Sequence, residues 1–85
     1  MTQLPDCLSS RPALQDLIRS LPPEWRVRTA AMLSDSSLRG WLVATADAAT
    51  VELVANATHA TVAKTLGVTV NMVDRRIWRH RQRHQ

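Results

Sequence analysis

Apolar residues recur at helical spacing in the first part of the chain. Ser10 is expected to cap a first helix with Pro12 in its first turn, and Pro22 is expected to end it. Four apolar residues between these signals fall at i, i+3, i+4 and i+7 and so share one helix face: Leu14, Leu17, Ile18 and Leu21.

The next apolar positions predict a second and a third helix. The second is expected to begin around Pro23 and to turn Arg26 and Arg28 outward. The cluster SDSS, residues 34–37, is expected to break it and to cap the third. The positions expected to be buried in these two helices are Trp25, Met32, Leu33, Leu38, Trp41 and Leu42.

The stretch TADAATVELVANAT, residues 45–58, also has a helical pattern. Thr45 or Asp47 can cap a helix here. No strong breaker separates this stretch from the preceding apolar face, so one long bent helix and two short helices both remain open. The inward positions are expected to be Val51, Leu53, Val54 and Ala57.

Residues 58–82, THATVAKTLGVTVNMVDRRIWRHRQ, have the spacing of a helix-turn-helix. Gly67 falls where the tight turn favours a positive φ, and Thr69 can cap the second helix through its hydroxyl. Ala63 is small, as a close crossing of the two helices requires. The other inward positions of the motif are Val62, Leu66, Val68, Val73 and Ile77.

The composition favours an all-α protein. The 85 residues are 45% hydrophobic, with two glycines and neither Phe nor Tyr, a mixture richer in helix formers than in sheet formers. We expect one domain over residues 1–85, a compact bundle of about five helices. Its predicted parts are a flexible arm at 1–10, N-terminal helices at 11–44 and a helix-turn-helix module at 45–85.

The net charge of +4 is concentrated at one end of the chain. Residues 1–58 carry five arginines against six acidic residues, whereas residues 59–85 carry six basic residues against Asp74 alone. A phosphate-bearing or acidic partner is therefore expected only at the C-terminal end.

Other classes of function find little support in the sequence. A lone Cys7, the lack of a signal-like segment and the lack of a membrane-length apolar run favour a soluble cytoplasmic protein without a membrane partner. His59, His80 and His84 lack the spacing of a zinc site, so we expect neither a metal nor another cofactor. No serine stands near an activating base, and we expect no enzyme.

The segment LVANATHATVAKTLGVTVNMVDRRIWRH, residues 53–80, resembles the DNA-binding module of LuxR-type (GerE) response regulators. It is equally similar to the promoter-reading fourth region of sigma factors. The resemblance covers about residues 51–83 and implies a bacterial transcription regulator of the winged-helix-like superfamily, with double-stranded DNA as its partner. The residues in register are Ala63, Leu66, Gly67, Val73 and Ile77.

The chain also departs from these families. Asp74 stands where they favour a lysine, and residues 1–44 match neither family. The chain ends at Gln85, without room for the additional helix that LuxR-type modules commonly use for dimerisation. The N-terminal helices are therefore the candidate surface for a homodimer or for a partner in the transcription machinery.

Matched onto the pattern of the families, the second helix of the motif, about residues 70–82, is the one that enters the major groove. Val70 and four further residues form a stripe opposite the apolar side of that helix. The four expected to read bases are Asn71, Asp74, Arg75 and Trp78. Those expected to contact phosphates are Thr58, Thr61, Thr69, Arg76, Arg79, Arg81 and Arg83.

Three alternatives stay open at this point. Trp78 can face the groove or fold back on the core. The arginine-rich end can be a solvated helix terminus rather than a phosphate-binding surface. The helix-turn-helix can bind a transcription factor or an RNA polymerase subunit without DNA, as Asp74 and the unmatched N-terminal half suggest.

Overall fold

The computed structural model describes residues 11–33 and 38–84, and all regular secondary structure in these ranges is helical. The all-α bundle predicted from the sequence is confirmed. The predicted arm at 1–10, the Ser10 cap and the SDSS cluster lie outside the described residues. The helices are α1 Arg11–Arg19, α2 Pro23–Met32, α3 Arg39–Val54, α4 His59–Leu66 and α5 Val70–Arg83.

The α3 helix settles the question left open for the middle of the chain. Residues 39–54 form one continuous helix, because nothing in this alanine-rich stretch interrupts it. Thr45 and Asp47 lie inside α3, so the prediction that one of them caps a helix was wrong. The expected boundary between the N-terminal helices and the helix-turn-helix module, at residues 44 and 45, also lies inside α3. This helix therefore belongs to both parts of the chain.

Two apolar clusters form the core, and α3 connects them. Leu53 of α3 and Leu66 of α4 pack against both clusters, so the N-terminal helices and the helix-turn-helix share one continuous interior. The first cluster consists of Ile18, Val27, Ala30, Leu38, Leu42, Ala46 and Ala49. The second consists of Val62, Ala63, Val73 and Ile77, as the helix-turn-helix pattern predicted.

Several residues expected in the core lie on the surface. Trp25 is 52% exposed and Met32 is 83% exposed, so their predicted burial was wrong. Leu17, on the apolar face of α1, is also exposed. In α2 the core positions are instead Val27 and Ala30, one turn apart. Trp41 is only partly buried and packs against the first cluster.

Arg26 and Arg28 were expected to point outward, but both are partly buried and join α2 to its neighbours. The Arg26 guanidinium donates to the Leu21 carbonyl at 2.9 Å and pairs with Glu52 of α3. Arg28 donates to the Thr65 carbonyl at the end of α4. These bonds attach the N-terminal helices to the helix-turn-helix.

The turn between α4 and α5 has the local features that the sequence predicted. Gly67 has φ 68°, and the Val68 amide donates back to the Ala63 carbonyl at 2.9 Å, which closes the end of α4. The Thr69 hydroxyl accepts from the Met72 amide at 3.1 Å and caps α5. Thr58 caps α4 in the same way.

The two glycines provide a test of this turn, because a methyl group at either one meets no atom within 4 Å. Gly67→Ala should lower the free energy of unfolding by about 1–2 kcal/mol, since an L-residue is strained at this φ. Gly40→Ala, in the first turn of α3, should instead raise it by about 0.5–1 kcal/mol. Urea titrations of both variants check this; an equal sign for the two changes would contradict the turn geometry.

Candidate nucleic-acid interface

The α5 helix has four distinct sides. Successive residues turn by about 100°, so Val73 and Ile77, which are both buried, define the inner side. The opposite side, which we call the reading face, carries Asn71, Arg75 and Trp78, all exposed. Between them, the α4 flank carries Asp74 and Arg81, and the α3 flank carries Arg76, Arg79 and Arg83.

On the reading face, Trp78 does not fold back on the core. Its indole is 61% exposed and lies outside both apolar clusters, although it borders a groove between α4 and α5. Asn71 and Arg75 lie on the same outward side, one turn apart. The amide and the guanidinium are groups that can form paired hydrogen bonds with adenine and guanine.

The fourth predicted base-reading residue, Asp74, is held by a histidine. Its Oδ1 lies 2.7 Å from Nδ1 of His59, the first residue of α4, and both side chains are about half exposed. No binding role was predicted for His59. The open groove beside this pair has a volume of about 300 Å³ and is lined by His59, Asp74, Ile77, Trp78 and Arg81.

The α3 flank is organised around a buried carboxylate. Asp47 of α3 is 0% exposed. Its Oδ1 accepts from Arg79 Nη2 at 3.0 Å, and its Oδ2 accepts from Arg83 Nη1 at 2.6 Å. Both arginines are roughly one third exposed and bend toward α3 rather than away from the bundle.

Arg76 completes the same cluster from inside. Its side chain is 8% exposed, and burial lowers the pKa of the guanidinium. The nearby Asp47 carboxylate opposes this shift, whereas Arg79 adds to it. Arg76 was expected to contact phosphates, but its side chain is buried on the α3 flank. Arg79 and Arg83 are partly exposed on that flank and are paired with Asp47.

The remaining residues expected to contact phosphates lie on the surface. Thr58 and Thr61 are at the start of α4, with their hydroxyls 2.9 Å apart, and Thr69 is at the start of α5. Arg81 is exposed beside the groove. The hydroxyls of Thr58 and Thr69 already accept cap hydrogen bonds, so each has its oxygen fixed near a helix N-terminus.

Sequence reasoning missed Asp47 and His59 as members of this interface. Asp47 had a detectable signal, because it is a single carboxylate within the alanine-rich run ATADAA and has apolar neighbours at helical spacing. His59 had none, since its partner is 15 positions away.

Two features are absent from the part of the chain that the structure describes. Among residues 11–33 and 38–84, no three His, Cys, Asp or Glu side chains come together as a metal site. Within those same ranges, no helix has the length and hydropathy needed to cross a bilayer.

Comparisons of the chain with protein-family models, with curated proteins and with solved structures found no match.

The buried carboxylate can be tested by neutralising it. Asp47→Asn leaves three arginines around an uncharged amide and should lower the free energy of unfolding by about 2–3 kcal/mol. Asp16→Asn is the matched control, because the Asp16 pair with Arg19 is exposed and its loss should change stability by less than about 0.5 kcal/mol. Equal urea midpoints for the two variants would contradict the assigned role of Asp47.

Proposed function

We propose that this protein is a small sequence-specific DNA-binding regulator of transcription that inserts α5 into the major groove. One observation carries the proposal: the reading face of α5 presents Asn71, Arg75 and Trp78 on the side opposite its packing against the bundle. A helix supported in this way by a preceding helix and a tight turn is the usual means of reading base edges.

The distribution of charge supports DNA binding, but only some of the basic residues are available to contact DNA. Lys64, Arg75 and Arg81 are exposed, and none forms an ion pair with the described residues, so they are available to DNA. Arg79 and Arg83 are occupied by Asp47. The electrostatic contribution to DNA binding should therefore be smaller than the count of arginines in α5 suggests.

A single module with few phosphate contacts binds DNA weakly, so a dimer over two half-sites about one helical turn apart is the natural assembly. The candidate surface is the outer side of α2. Trp25 and Met32 are exposed there at i and i+7, on the same side of the helix.

The same apolar side favours a second function from another class. Exposed tryptophan and methionine are frequent at protein interfaces. The alternative proposal is that the protein uses α2 to bind a transcription factor or an RNA polymerase subunit and does not contact DNA. The two proposals differ in whether α5 is covered by DNA, since the outer side of α2 is covered in both, by a second copy or by another protein.

Two arginines on α5 allow the DNA-binding proposal to be tested with a matched pair. Arg81→Ala should weaken binding to duplexes of all sequences and make the dependence of log Kd on log salt shallower by about one unit. Its free energy of unfolding should change by less than about 0.5 kcal/mol. Arg83→Ala should leave the salt slope unchanged and lower the free energy of unfolding by about 1–2 kcal/mol, because it removes a bond to the buried Asp47.

The measurement is a fluorescence anisotropy titration with random duplex DNA from about 50 to 200 mM salt, alongside urea unfolding. Failure of the unmodified protein to bind any duplex at the lowest salt would exclude the regulator and leave the partner-binding alternative. If the slope of log Kd against log salt became shallower in Arg83→Ala and not in Arg81→Ala, the α3 flank rather than the α4 flank would be the one that contacts phosphates.

A further inference from the structure

The His59–Asp74 pair links the two helices of the motif on the flank of α5 opposite to Asp47. Nδ1 of His59 and Oδ1 of Asp74 are 2.7 Å apart, and an ionised carboxylate can only accept hydrogen bonds, so Nδ1 carries the hydrogen. The bond therefore fixes the tautomer of His59. Its Nε2 is left as an acceptor in the neutral ring and as a donor in the protonated ring.

The bond occupies only one oxygen of Asp74. Oδ2 forms no hydrogen bond with the described residues. Asp74 is half exposed and lies at the border of the reading face, one turn before Trp78. In the major groove a carboxylate oxygen is repelled by phosphates and can be satisfied only by an amino group, which cytosine offers at N4 and adenine at N6.

We propose that His59 is a positioning residue that holds Asp74 for reading the exocyclic amino group of one base. The inference rests on the proposed function, since it assigns a base to a helix that has to lie in the groove. It also explains how an acidic residue is accommodated on a surface that meets DNA.

The base preference is tested by selecting bound sequences from a random duplex library with the full chain at about 50 mM salt. The unmodified protein should select cytosine or adenine at one position of the site. In Asp74→Ala the preference at this position should be about tenfold weaker, and the preferences at the other positions should be unchanged. Asp16→Ala, which removes an exposed acid of α1, should keep every preference.

The role of His59 is tested with two variants of that residue. His59→Ala removes the donor to Asp74 and should lower the preference at the same base position about threefold, with the other positions unchanged. His59→Gln, whose side-chain amide can donate to Asp74, should keep the preference.

The failures can be told apart. If the unmodified protein binds no duplex, the proposed function fails and the inference fails with it. If it selects a sequence but Asp74→Ala selects the same one, the inference is overturned while the proposed function stands. An unchanged base preference in His59→Ala would likewise overturn the role of His59.

Discussion

The buried carboxylate of Asp47 is the constraint on which the orientation of α5 depends. A fully desolvated charge is tolerated only when it is paired, and here both oxygens are paired with guanidinium groups of α5. Breaking these bonds is costly, whereas an apolar replacement of the whole cluster would cost little. The carboxylate therefore contributes less to net stability than to fixing the rotation of α5 about its axis.

That rotation decides what each arginine of α5 can do. With Arg79 and Arg83 drawn toward α3, Arg75 is turned to the outer side and Arg81 to the α4 flank. Arg81 and Arg83 are only two residues apart and thus have different environments: Arg83 is bonded to Asp47, whereas Arg81 is open to a partner. On the opposite flank His59 holds Asp74, so the acid at the border of the reading face is also fixed.

Much of the helix-turn-helix was predictable because its determinants are local. The positive φ of Gly67 and the caps formed by Thr58 and Thr69 depend on residues within one turn, and periodicity gave the inner side of α5. The pairing of Asp47 with α5 was not predictable, because the partners are 32 and 36 positions away. Periodicity also failed for Trp25, since a short helix with few apolar residues fits more than one inward face.

The most direct test of the account is to follow the indole N–H signals of Trp25, Trp41 and Trp78 by NMR while duplex DNA is added. The three rings report on α2, the core and the reading face, respectively. The account predicts a saturable shift of the Trp78 signal and an unmoved signal from Trp41, whereas the Trp25 signal shifts only where α2 pairs two copies on the DNA. A shift of Trp25 with Trp78 unchanged, or no shift at all, would contradict insertion of α5 into the major groove.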